Sequence, residues 1–122
     1  TAIQHLSNTD VCLIHCNAPD EESHIKNILG KVAAIEEIDQ QVITPLLRHL
    51  DQLNEPSRVW LLPDHYTICQ NGRHAPDPVP YTIYGTGITA NHSLTTFSEI
   101  DIAAVAQGKP ARESYEFIAS LL

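Results

Sequence analysis

Basic residues are scarce: 7 Lys and Arg stand against 15 Asp and Glu, leaving a formal charge of −8 over 122 residues. That balance argues against a nucleic-acid backbone or an anionic membrane surface as partner, because both call for a cationic footprint. Long apolar runs are missing too. The longest, residues 11–14 and 59–62, fall far short of the ~20 residues that span a bilayer, and the N-terminal stretch lacks the basic-then-apolar pattern of a signal peptide. Cysteine is limited to Cys12, Cys16 and Cys69, an odd number with no CxxC pair. A disulfide framework is therefore not expected, and a reducing, cytoplasmic setting is. Methionine is absent, including at position 1, so a processed or excised piece is expected. The glycines form no dinucleotide fingerprint; Gly85-Thr86-Gly87 is too short and suits a turn.

What is present suffices for one domain, residues 1–122, since 43% of the chain is hydrophobic. Residues 10–16 hold Val11, Cys12, Leu13 and Ile14, the near-continuous apolar run expected of a strand buried on both faces of a parallel sheet. Asn17-Ala18-Pro19-Asp20-Glu21-Glu22 then supplies the acids and the proline of a helix start. Ile28, Val32, Ile35, Ile38, Val42, Leu46, Leu50 and Leu53 recur at helical spacing, which predicts a long helix lying on a sheet, kinked or broken at Pro45. Residues 58–62 form a second strand candidate and residues 79–84 a third; Ser98 and Asp101 make a capping box for a helix through Ala106, and another helix is expected over residues 115–122. A right-handed strand–helix–strand crossover makes the first two strands parallel and brings their carboxyl ends to one sheet edge, where such sheets place ligands. The polar, proline-rich stretch 63–80 reads as a long functional loop.

Seven histidines equal Lys and Arg combined, and their positions matter more than their number. Asp20-x-x-x-His24 puts a carboxylate and an imidazole about 5–6 Å apart on one helix face, close enough to grip one ion. Asp64-His65 follows the second strand, and His74 lies in the loop beyond. Each has a plain reading alone: an acid complementing a helix dipole, a turn starter after Pro63, a surface histidine. Together they set five O and N donors on one sheet edge, a set suited to Zn²⁺ or Mn²⁺. Arg73 matches phosphate oxygens bidentately, and Lys31, seven residues beyond His24, lies on roughly the same helical face; both are weaker candidates, for substrate binding.

The order of these ligands resembles that of the alkaline phosphatase superfamily. More narrowly, Asn17-Ala18-Pro19-Asp20-Glu21-Glu22-Ser23-His24, Lys31, Ala34-Ile35-Glu36-Glu37-Ile38-Asp39, Leu62-Pro63-Asp64-His65, Arg73-His74, Asp77-Pro78-Val79-Pro80 and Phe97-Ser98-Glu99 resemble the C-terminal catalytic portion of archaeal-type cofactor-independent phosphoglycerate mutases. The resemblance implies an α/β, three-layer core fragment with a mostly parallel sheet. It also implies two divalent ions, Mn²⁺ or Zn²⁺ or else Mg²⁺, one held by Asp20, His24 and His74 and the other by Asp64 and His65 plus upstream groups. The activity it implies is interconversion of 3-phosphoglycerate and 2-phosphoglycerate through a phosphoserine, with the nucleophilic serine expected upstream and no catalytic residue expected in this chain, which alone is expected to be inactive. Expected partners are a small phosphorylated substrate and the missing N-terminal portion of the same enzyme, with self-association where that portion would pack. Two rival readings stay open: a phosphatase or phosphodiesterase of the same superfamily, and a noncatalytic metal-binding fragment. The chain departs from the family pattern at Cys16-Asn17, where Val-Glu is frequent, at Lys26, where Gly is usual, and at Ala75, where Thr is.

Overall fold

The computed structural model describes residues 2–90, 94 and 96–118. After a short helix α1 (Ala2–Leu6), residues 9–17 form no regular element, and α2 (Ala18–His24) begins with Pro19 in its first turn and Asp20 and Glu21 at its positive end. The turn after it stops the helix because Lys26 adopts φ 61°, in the left-handed region that costs a side-chain-bearing residue about 1–2 kcal/mol. Asn27 then caps α3 (Ile28–Ile38), its side-chain oxygen accepting from the Gly30 N–H at 3.0 Å, while its amide donates to Glu22 Oε2 at 2.7 Å across the corner. The expected long helix is thus divided at Lys26. Beyond Ile38 it continues through a π-helical turn, Asp39–Ile43, into α4 (Thr44–Gln52), with Pro45 in the first turn of α4. The widened turn lies just where Pro45, lacking an N–H, cannot bond back to Gln41.

Among the described residues four strands follow, in two antiparallel pairs. β1 (Arg58–Leu61) pairs with β4 (Thr82–Gly85), and between them β2 (Tyr66–Ile68) pairs with β3 (Arg73–Ala75). In the second pair Thr67 stands directly opposite His74, so their side chains share a face. Ser98 caps α5 (Glu99–Ala106) as expected, its hydroxyl accepting from the Asp101 N–H at 3.2 Å. The last helix, α6 (Ser114–Ile118), begins one residue earlier than expected, and residues 119–122 of the expected span lie outside the described residues.

The mostly parallel sheet is corrected by this topology: the described residues form an α/β arrangement with small antiparallel sheets and no parallel pair. Residues 10–16 are not a strand, and Val11 and Leu13 are 65% and 91% exposed. An apolar run announces that it prefers burial, but strand structure also needs N–H and C=O partners, and none of the described residues supplies them. The stretch 63–80 is corrected as well, because it contains the β2–β3 hairpin rather than a loop alone. α2 packs against α3 and β2, burying Ser23 completely, with its hydroxyl donating to the Pro19 carbonyl at 2.6 Å. The helical stripe expected to lie on a sheet is only partly covered: Leu50 is buried, whereas Ile28, Val32 and Ile35 are about half exposed. Among the described residues, no helix is long and apolar enough to cross a membrane.

Replacing Lys26 by Gly, which adopts the left-handed region without a Cβ clash, is expected to raise stability by about 1 kcal/mol. Urea unfolding measures it; an unchanged midpoint would show that this corner carries no backbone strain.

Candidate metal centre

The centre is built where α2 meets the β2–β3 hairpin. One helical turn separates Asp20 from His24, and the His24 Nε2 lies 3.3 Å from Asp20 Oδ2. From the hairpin comes His74, whose Nε2 is 3.2 Å from His24 Nε2 and 3.5 Å from Asp20 Oδ1. His65, just before β2, stacks its ring on His74 with centroids 3.8 Å apart. Asp20, His65 and His74 offer ligand atoms within 4.8 Å of one another. The expected group Asp20, His24 and His74 is therefore brought together, and His65 joins the same cluster. Asp64 lies at its rim: 67% exposed, it accepts from the His65 backbone N–H at 3.0 Å and places Oδ2 3.4 Å from His65 Nε2.

Hydrogen bonding fixes which nitrogen of His24 faces the cluster. Its Nδ1 is 2.9 Å from the carbonyl oxygen of Gly72, and a carbonyl only accepts, so in the neutral ring the proton sits on Nδ1 and Nε2 carries a bare lone pair. That lone pair points at a carboxylate oxygen and a second imidazole nitrogen, an arrangement that a shared cation satisfies better than hydrogen bonds do. Backbone carbonyls orient metal-binding histidines in this way. The bare nitrogen and the N/O donor set therefore fit a divalent transition metal. Gly72 is needed for the approach: its φ is 68°, and a Cβ there would lie 2.8 Å from the His24 carbonyl oxygen.

Asp20 is the electrostatic focus. Its carboxyl is held below its ordinary value of 3.8, chiefly by the Thr67 hydroxyl, which donates to Oδ1 at 2.6 Å. Partial desolvation opposes this shift, and the charges of His24, His74 and His65 add to it. Lys31 lies beyond the break at Lys26, so its spacing from His24 on one helix no longer applies; its ammonium nonetheless reaches the hairpin and donates to the Thr67 carbonyl at 2.9 Å. Arg73 is exposed, beside His74 on β3, and neighbouring strand residues leave opposite faces. Thr67 and Gly72 went unnoticed in the sequence. The signals were there: Tyr66-Thr67-Ile68 is rich in β-formers, and Asn71-Gly72 is a common hairpin turn pair.

A family model described as the Metalloenzyme superfamily matches residues 1–108. The chain is also similar to curated proteins named 2,3-bisphosphoglycerate-independent phosphoglycerate mutase. It is 38% identical over 98 residues to that of Methanosarcina barkeri, covering 80% of this chain and 25% of the relative. To that of Methanothrix thermoacetophila it is 36% identical over 107 residues, covering 88% and 27%, and to that of Aeropyrum pernix 36% over 99 residues, covering 80% and 23%. The chain thus spans about a quarter of the length of these curated relatives. No solved structure matches.

Because the folded protein depresses the Asp20 pKa, its contribution to stability is complete above 3.8 and is lost as pH falls through the lower folded-state value. Urea titrations of metal-free protein should show wild type more stable than Asp20→Asn at neutral pH and the two converging on acidification. A difference that stays constant with pH would contradict the Asp20 environment described.

Proposed function

The chain belongs to the Metalloenzyme superfamily, and on that premise we propose that it is the metal-binding part of a phosphoglycerate mutase that interconverts 3-phosphoglycerate and 2-phosphoglycerate through a phosphoserine. The observation that carries the reading is the convergence of the Asp20 carboxylate with the Nε2 atoms of His24 and His74, each pair within 3.5 Å. In this reading Asp20, His24 and His74 hold one divalent ion, and Asp64 and His65 contribute to a second. Bound divalent ions supply charge neutralisation for a phosphoryl group and acidify a nearby hydroxyl. The chain's own residues arrange that environment: the Gly72 carbonyl keeps the proton on His24 Nδ1, and the half-exposed His24 and His74 leave the cluster open to an incoming phosphate ester.

The nucleophile is assigned outside this chain. Ser23, the one serine within the ligand motifs, is fully buried and donates to the Pro19 carbonyl, so its hydroxyl is turned into the helix packing. The partner is the rest of the same protein, with self-association as the outcome when that part is lacking. Support comes from the chain's coverage of only a quarter of its relatives and from the exposed apolar surface at Val11, Leu13, Leu29 and Val32, the kind of surface that marks an interaction site.

Calorimetric titration with Mn²⁺ or Zn²⁺ should show one dominant site, weakened more than about tenfold by His24→Ala; unchanged binding in that variant overturns the ligand assignment. Assayed alone with metal, the chain should not interconvert the two phosphoglycerates, whereas the full-length protein should, and should lose the activity in Asp64→Ala. Turnover by the isolated chain that disappears with Asp64→Ala would show that it is catalytically complete.

A further inference from the structure

Thr67 belongs to neither set of expected ligands, yet its hydroxyl touches an expected ligand of each. It sits in the middle of β2, is only 6% exposed, and stands opposite His74 in the hairpin register. Its hydroxyl carries one proton and can accept as well. Two groups compete for it: Asp20 Oδ1 at 2.6 Å and His65 Nδ1 at 3.2 Å. A carboxylate can only accept, and the shorter contact to a charged acceptor is the stronger bond, so the proton goes to Asp20. The oxygen is then left to accept from His65, which places the His65 proton on Nδ1 and leaves Nε2 bare. That bare Nε2 faces Asp64 Oδ2 at 3.4 Å, two acceptors turned toward each other. Through the Gly72 carbonyl, the same arrangement arises at His24 Nε2 and Asp20 Oδ2. The two acceptor pairs fall one in each of the expected ion sites. Thr67 touches both, because its one hydroxyl binds Asp20 on one side and His65 on the other, and its backbone carbonyl is tied to α3 by Lys31.

We propose that Thr67 is a positioning residue for the metal centre: its hydroxyl orients the Asp20 carboxylate and sets the His65 tautomer, so that one side chain prepares a ligand of each ion site, with Lys31 bracing the strand that carries it. This inference rests on the metal-binding reading above. A packing role for Thr67 makes a different forecast, since it would depend on the buried methyl group rather than on the hydroxyl.

Two variants separate the roles. Thr67→Val keeps the branched shape and removes the hydroxyl, whereas Thr67→Ser keeps the hydroxyl and removes the methyl. With Mn²⁺ affinity read from the paramagnetic resonance signal of the free ion, Thr67→Val should bind about 10–100-fold more weakly than wild type, and Thr67→Ser within about threefold of it. Weaker binding by Thr67→Ser than by Thr67→Val overturns the proposal in favour of packing, and equal binding by all three overturns it outright. Long-range proton–nitrogen NMR of the metal-free wild type supplies a readout that needs no variant to fold: His65 should carry its proton on Nδ1, and a proton on Nε2 overturns the proposal. If wild type itself binds no Mn²⁺, the metal-binding reading falls and this proposal with it, whereas normal binding with an unaffected Thr67→Val sinks this proposal alone.

Discussion

Two hydrogen bonds spanning nearly fifty residues of chain hold helix α2 against the β2–β3 hairpin: Thr67 Oγ1 to Asp20 Oδ1, and His24 Nδ1 to the Gly72 carbonyl. The rest of the centre depends on them. Asp20 and His24 are neighbours on α2 whatever the hairpin does, but His65 and His74 meet them only while the hairpin is docked. A hydrogen bond to a charged group contributes about 1.5–3 kcal/mol net and a neutral one about 1 kcal/mol. The same bonds that assemble the cluster are therefore among its stabilising contacts, and the side chains engaged in stability are those that bring the carboxylate and the imidazoles together.

Apolar burial does little in the described structure. Among the described residues only Ala34 and Leu50 are buried hydrophobics, while the buried polar residues are Ser23 and Thr67, both at the α2 interface. Full burial of a leucine contributes about 1.5–3 kcal/mol, so this small buried set leaves most of the hydrophobic potential of α3 and residues 10–16 unspent. The polar centre is thus formed while an apolar flank, at Val11, Leu13 and Leu29, faces water.

Backbone conformation frames the centre at two points. Lys26 turns the chain from α2 into α3 in the left-handed region, where glycine is the residue with least strain, and Gly72 occupies the same region at the hairpin. The contrast is instructive. A Cβ at Gly72 would strike the His24 backbone, so glycine there is demanded by the close approach of two elements, whereas the corner at Lys26 accommodates a side chain at the cost of strain.

Local patterns were legible because their causes are local. The i, i+4 spacing of Asp20 and His24, the Ser98 cap with Asp101, the disruption near Pro45 and the short strands around Val59 and Ile83 all follow from 3.6-residue helical geometry, missing donors or alternation within a few residues. The family resemblance, too, rests on the order of residues along the chain. Pairing was not legible in this way. Val11 to Ile14 carries the apolarity of a buried strand, but no property of those four side chains reveals whether a neighbouring strand will supply hydrogen bonds, and so the parallel sheet did not follow. The stacking of His65 on His74, the opposition of Thr67 to His74 and the partner that each imidazole nitrogen meets were decided by tertiary structure alone, because each depends on which acceptor or ring a distant segment brings to within about 3–4 Å.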